Sequence, residues 1–274
     1  MQITRLALAA LTATLMGAST GAFAVENGPA PTLAAIQKDG PYAVTAQAIK
    51  GSGFGSGTIY VPNAAGQYAL VAVCPGFVSP ESSITAISKR LATHGFVVVT
   101  IATNTLLDFP SSRASQILAA LKAAAGTTTG AVAGKIDVSR QVASGWSMGG
   151  GGTLEAAAST PGLVAAVAYA PWNTSSTKYK TITVPSLILG GTADVIAPVA
   201  QHSQPFYNAI PATTPKMLAV IQGASHFFPN SAGEPQSYTN ISWVKRFADG
   251  DTRYGTFLNT KDAAFSTVQS TGPF

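Results

Sequence analysis

Charge is what this sequence has least of. Only 10% of its 274 residues are Asp, Glu, Lys or Arg, against roughly 25% in ordinary soluble domains. The surface must therefore be built largely from Ser, Thr, Asn, Gln and Gly. With 46% apolar residues, the chain is too hydrophobic to be disordered, since disorder goes with low hydrophobicity and high net charge. Long hydrophobic runs are also missing. A spanning helix needs about 20 apolar residues, and beyond the N-terminus none escapes interruption by Gly, Pro or polar residues, so no stable membrane insertion is expected. There is one cysteine, which excludes an internal disulfide. The net charge is +5, but no basic run exceeds Lys245-Arg246. Nucleic-acid binding is not expected, because phosphate-binding faces cluster their cations. Carboxylates do not cluster as Ca²⁺ requires, so neither metal nor cofactor is expected.

The first residues read as an address. Met1 to Arg5 carry positive charge, Leu6 to Met16 are apolar, and Ala22-Phe23-Ala24 is an A-x-A cleavage signal. Residues 1–24 are expected to be a signal peptide and 25–274 a single catalytic domain, secreted or periplasmic and monomeric. Cys74 closes the apolar run that starts at Ala69 and is expected to be a buried, inert thiol.

Short apolar runs then alternate with helix-like segments. Tyr42 to Ile49 and Thr58 to Val61 have the two-residue period of half-buried strands. The runs Ala69 to Val73, Phe96 to Ile101, Val142 to Trp146, Val164 to Ala170, Ser186 to Leu189 and Met217 to Ile221 suit strands buried on both faces. Ile84, Ile87 and Leu91 form one helical stripe. Ser112 can cap a helix carrying Ile117, Leu118 and Leu121, and Trp243, Val244 and Phe247 mark a last helix. His94-Gly95 reads as a helix end, with Gly in the left-handed conformation and His beside the negative end of the dipole. The pattern predicts an α/β fold with a mixed, mostly parallel central sheet and helices on both faces.

Gly145-Trp146-Ser147-Met148-Gly149 is G-x-S-x-G, placed between a strand and a helix-competent segment. That context makes Ser147 a nucleophile on a sharp turn. Serine needs a base, and the base needs an orienting carboxylate. In α/β-hydrolases the order along the chain is Ser, acid, His. His226 lies in a loop after a strand and is preferred as base over His202, which sits in a helix-like segment, and over His94, which precedes Ser147. Only Glu155 and Asp194 fall between Ser147 and His226. Glu155 is two turns into the nucleophile helix and points away, so Asp194 is the expected acid. The oxyanion would be held by the backbone N–H groups of Met148 and of Phe77, in the loop after an early strand.

Several further motifs look familiar. They include Asn27-Gly28-Pro29-Ala30-Pro31-Thr32, Pro75-Gly76-Phe77, Pro110-Ser111-Ser112-Arg113 and the glycines Gly149 to Gly152. Ala170-Pro171-Trp172, Asp194-Val195-Ile196-Ala197-Pro198 and Asp251-Thr252-Arg253-Tyr254 belong with them. Over nearly the whole chain after the leader, the sequence resembles bacterial cutinase-like polyester hydrolases, a group that includes poly(ethylene terephthalate) hydrolases. The resemblance implies an α/β-hydrolase fold with no lid, a Ser147, Asp194, His226 triad, and Phe77 and Met148 as oxyanion hole. Phe77 and Trp172 would flank an aromatic acyl ring, with Ile196 and Met148 lining the cleft. His202 and Phe206 would stand beneath Trp172, and Phe227 would narrow one end. Trp146 also reads as a substrate-side aromatic, although ordinary core is an equal use for so large a ring. Relatives of this kind commonly carry a C-terminal disulfide, which one cysteine cannot form; its absence forgoes roughly 2–4 kcal/mol. The expected substrates are polymeric or small esters. Two alternatives stand beside polyester hydrolysis: a triacylglycerol lipase or general esterase with the same triad, and a non-catalytic surface-binding homologue.

Overall fold

A computed structural model describes residue 26, residues 28–260 and residues 262–274 of the chain. The expected signal peptide and Asn27 lie outside the described residues. Among the described residues, no helix is long and apolar enough to cross a membrane.

Nine strands form one sheet: β1 (Val44–Ile49), β2 (Ser56–Pro62), β3 (Tyr68–Cys74), β4 (Val97–Ala102), β5 (Ile136–Trp146), β6 (Ala165–Tyr169), β7 (Ser186–Gly191), β8 (Lys216–Ile221) and β9 (Phe265–Ser270). Their spatial order is β1-β2-β4-β3-β5-β6-β7-β8-β9. β4, β3, β5, β6, β7 and β8 are mutually parallel. β1, β2 and β9 add antiparallel pairings at the two edges. The expected strands are all present. The continuous apolar runs are the buried ones because helices cover both faces. Leu70, Ala72 and Cys74 point into one core, while Ala69, Val71 and Val73 point into the other.

The helices are α1 (Leu33–Ile36), α2 (Thr85–Thr93), α3 (Pro110–Ala125), α4 (Met148–Ser159), α5 (Ser203–Ala209), α6 (Glu234–Ala248) and α7 (Gly255–Asn259). α3, α4 and α5 pack on the face of Leu70, and α2, α6 and α7 on the face of Val71. Gly95, at φ +89°, ends α2 as expected. The Ser112 cap is corrected. α3 begins at Pro110, whose ring already sets the helical φ, so Ser112 lies inside the first turn and its hydroxyl accepts from the Gln116 amide. The helix of Trp243 is not the last, since α7 follows it. β9 was not anticipated. Its sequence Phe-Ser-Thr-Val-Gln-Ser has no apolar run, because it is a half-exposed edge strand paired only with β8.

The parallel core brings the carboxyl ends of β3, β4, β5, β6, β7 and β8 to one edge, and loops from those ends assemble sites in α/β proteins. Between β6 and β7 the only regular structure is a short 3₁₀ turn, Thr177–Thr181, so no lid is inserted there.

Candidate active site

Ser147 stands between β5 and α4 at φ 57° and ψ −120°. A side-chain-bearing residue avoids this left-handed region unless its surroundings hold it there. Here the backbone is held from both sides. The Ser147 N–H donates to the Tyr169 carbonyl at 2.9 Å, and the Ser147 carbonyl accepts from Gly151 and Trp172 N–H, each at 2.9 Å. Gly149 makes the close turn possible, because a Cβ there would collide with the carbonyl oxygens of Cys74 and Pro75. The strain projects the hydroxyl above the sheet edge, at the N-terminus of α4.

His226 comes from the loop after β8. Its Nε2 lies 2.8 Å from Ser147 Oγ, and its Nδ1 lies 2.8 Å from Asp194 Oδ2. Asp194 comes from the loop after β7. Its other oxygen accepts the backbone N–H of Ile196 at 2.9 Å and of Ala197 at 2.7 Å. Burial raises the Asp194 pKa, but the bond to His226 and these two N–H groups outweigh it, and the net shift is downward. Asp194 is thus an anion that can only accept. His226 must donate Nδ1–H to it, which leaves Nε2 to take the hydroxyl proton of Ser147. Glu155 faces away, as expected, bonded to Asn173 and Lys178.

The loop after β3 lies directly against the nucleophile. A Cβ on Gly76 would stand 3.1 Å from that of Ser147, so Phe77 is the next residue beside the hydroxyl. Met148 is the first residue of α4, where N–H groups have no partner within the helix.

Aromatic rings stand on the loops around the triad. Phe77 and Phe109 have ring centres 6.4 Å apart, and Phe109 and Trp172 are also 6.4 Å apart. Phe77 and Phe109 are exposed, and Trp172 is half-buried. Phe109, at the end of the β4–α3 loop, was missed. Its signal was an aromatic residue directly before the Pro that opens a helix. His202 stacks beneath Trp172 at 5.9 Å. Ile196 and Phe227 are exposed at the same edge.

Trp146 and Phe206, both named among the substrate-side residues, are each only 3% exposed, as the core use of Trp146 and the place of Phe206 beneath Trp172 imply. Phe206 sits on α5 one layer below, packed on His202 and Tyr179. Trp146 is the last residue of β5. Its indole N–H donates to the His226 carbonyl at 2.8 Å, and its ring lies 5.6 Å from the imidazole. A buried indole needs a partner for its N–H, and here that partner is the backbone of the base. Trp146 therefore positions His226. Cys74 is fully buried, and burial lifts its thiol to about 11, so it stays protonated.

A mostly parallel sheet, a strained serine between strand and helix, and acid and histidine loops in that chain order define an α/β-hydrolase. Comparison with known proteins narrows the class. A model of the PET hydrolase-like family matches residues 19–272. A cutinase of Thermobifida fusca is 41% identical, covering 100% of this chain and 94% of its own length. Cutinase 1 of Thermobifida cellulosilytica is 43% identical, covering 91% of this chain and 98% of its own. A bis(hydroxyethyl) terephthalate hydrolase of Streptomyces coelicolor is 45% identical, covering 85% of this chain and 76% of its own. The chain belongs to the PET hydrolase-like family and is a carboxylic ester hydrolase.

Proposed function

We propose that this enzyme hydrolyses polyesters and short-chain soluble esters through a covalent acyl-serine. The observation that carries the reading is the unbroken relay from Ser147 Oγ through His226 to Asp194, at 2.8 Å and 2.8 Å. Ser147 Oγ attacks the ester carbonyl carbon while His226 Nε2 takes its proton. The carbonyl oxygen gains the negative charge and is held by the N–H groups of Met148 and Phe77, each worth roughly 3–4 kcal/mol in the transition state. Asp194 stays ionised and stabilises the imidazolium. The bond between the acyl carbon and the alkoxy oxygen then breaks, and His226 gives its proton to the departing alkoxide. A water attacks the acyl-enzyme, giving its proton to His226. The acid leaves and Ser147 recovers its proton.

Phe77, Phe109 and Trp172 form an apolar wall suited to an aromatic acyl ring, and Ile196 and Phe227 add exposed apolar surface on the loops of Asp194 and His226. The names of the relatives, cutinases and a terephthalate-ester hydrolase, support the same substrate class. The short β6–β7 connection inserts no lid over the triad, as access for a polymer chain requires. Residues 1–24 serve export, with cleavage after Ala24, and the enzyme works as a monomer without a metal or cofactor.

The test is Ser147→Ala. Turnover of p-nitrophenyl butyrate should fall to near background, as triad loss costs many powers of ten. Retention of more than about a tenth of the wild-type rate would show that the nucleophile lies elsewhere. Product release by wild type from an amorphous polyester film and from a long-chain triglyceride separates polyester hydrolysis from lipolysis.

A further inference from the structure

Among the described residues, ten large apolar side chains are exposed, and eight of them lie on four loops at the carboxyl edge of the sheet. Phe77, Phe109, Ile196 and Phe227 belong to the cleft. Val78, Leu106, Leu107 and Val195 are further exposed apolar side chains on three of the same loops, at 56%, 47%, 62% and 86%. Scattered exposed Leu and Val need no explanation, but eight gathered on the loops that carry one site mark a contact surface.

This surface is built. Arg113 is completely buried, and its guanidinium donates to the carbonyls of Leu106, Asp108 and Pro75 at 3.1, 2.7 and 3.0 Å. One buried cation thus pins the loop of the two leucines to the loop that carries Phe77. The Val78 N–H donates to the Leu106 carbonyl at 2.9 Å and joins the same two loops. Val78 is held at φ 52°, a conformation that a β-branched residue adopts only under constraint. The loop is therefore fixed while its two leucines stand 47% and 62% exposed.

Charge identifies the occupant. Residues 76–80, 103–109, 192–198 and 224–229 contain no Lys or Arg. Of the two acids there, Asp194 is held by His226 and Asp108 by Thr105 and Gln116. Proteins that lie on membranes pair an apolar face with Lys and Arg, which are drawn to anionic lipids. A face without cations matches an uncharged solid instead. Resting on the polyester reading, we propose that the Leu106–Leu107 ridge, with Val78 and Val195, is a docking surface that seats the enzyme on solid polyester with the cleft facing the polymer.

The test separates docking from chemistry. Adsorption to amorphous polyester film is measured for Ser147→Ala and for Ser147→Ala carrying Leu106→Ser and Leu107→Ser. The ridge variant should adsorb about tenfold less, and adsorption of Ser147→Ala should change little with salt. In the active enzyme, Leu106→Ser with Leu107→Ser should lower film hydrolysis and leave kcat/KM for soluble p-nitrophenyl butyrate within about twofold. Undiminished adsorption of the ridge variant overturns the proposal, as does an equal loss on film and soluble ester. Stronger binding to anionic vesicles or triglyceride emulsion than to film overturns the occupant. If Ser147→Ala adsorbs through the ridge but wild type releases nothing from film, docking stands and the substrate reading falls.

Discussion

His94 makes stability depend on pH in a calculable way. Its expected place, at the end of α2 beside the negative end of the dipole, is where it stands. The structure buries it there, at 5% exposure, with its Nε2 2.8 Å from the Lys38 carbonyl. Burial is the main cause of a pKa pushed down to about 4; the Lys38 carbonyl opposes this, and the nearby Lys245 and Arg90 reinforce it. The ring is neutral at pH 7 and donates Nε2–H to Lys38. In the unfolded chain His94 takes up a proton near 6.5, whereas the folded protein refuses it until about 4. Across that window the unfolded state binds more protons, so stability rises with pH and falls as pH drops. The fall amounts to about 2–3 kcal/mol by about pH 4.5. The assay is urea unfolding of wild type and His94→Gln at several pH values from neutral to about 4.5. Gln keeps a donor for Lys38 but does not titrate. It should cost about 1–2 kcal/mol at neutral pH through lost packing, and that deficit should vanish or reverse in acid. Asp194 and Asp137, whose pKa values are lowered, support stability above their unfolded pKa, and that support is lost only below about 4. They act alike in both proteins. Parallel stability curves for the two would refute the reasoning.

Two further predictions concern the site. Trp146→Phe removes the N–H that holds the His226 carbonyl but keeps a ring under the imidazole. It should lower kcat by about tenfold with KM within about twofold; a loss carried by KM would mean that Trp146 meets substrate directly. Phe109→Ala should raise KM for bis(hydroxyethyl) terephthalate about three- to tenfold, from the lost ring contact. It should leave ethyl butyrate turnover nearly unchanged, and equal effects on both esters would remove Phe109 from the aromatic wall.

The order of elements and the members of the relay were written locally. Apolar runs marked the buried strands. Glycines flanking Ser147 announced a turn that only a backbone without Cβ can make, and chain order left Asp194 and His226 as partners for it. Other features depend on neighbours distant in sequence. Trp146 was one more aromatic until β5 and the β8 loop met, giving its indole N–H the His226 carbonyl. The resemblance set Phe206 beneath Trp172, but only the packing of α5 shows that His202 lies between them. Nothing in the local sequence of Arg113 shows that packing buries its guanidinium among three carbonyls from two loops.

The scarcity of charge was plain from composition alone, and so were the single cysteine and the serine chemistry. Which apolar residues would remain outside was not. Phe206 and Phe109 both lie at helix segments beside the catalytic loops, yet one is 3% exposed beneath His202 and the other is held in water at 56% exposure. Burial is a property of the packed whole. Periodicity indicates which faces can be covered, but only the assembled loops and the cation that pins them decide which stay bare.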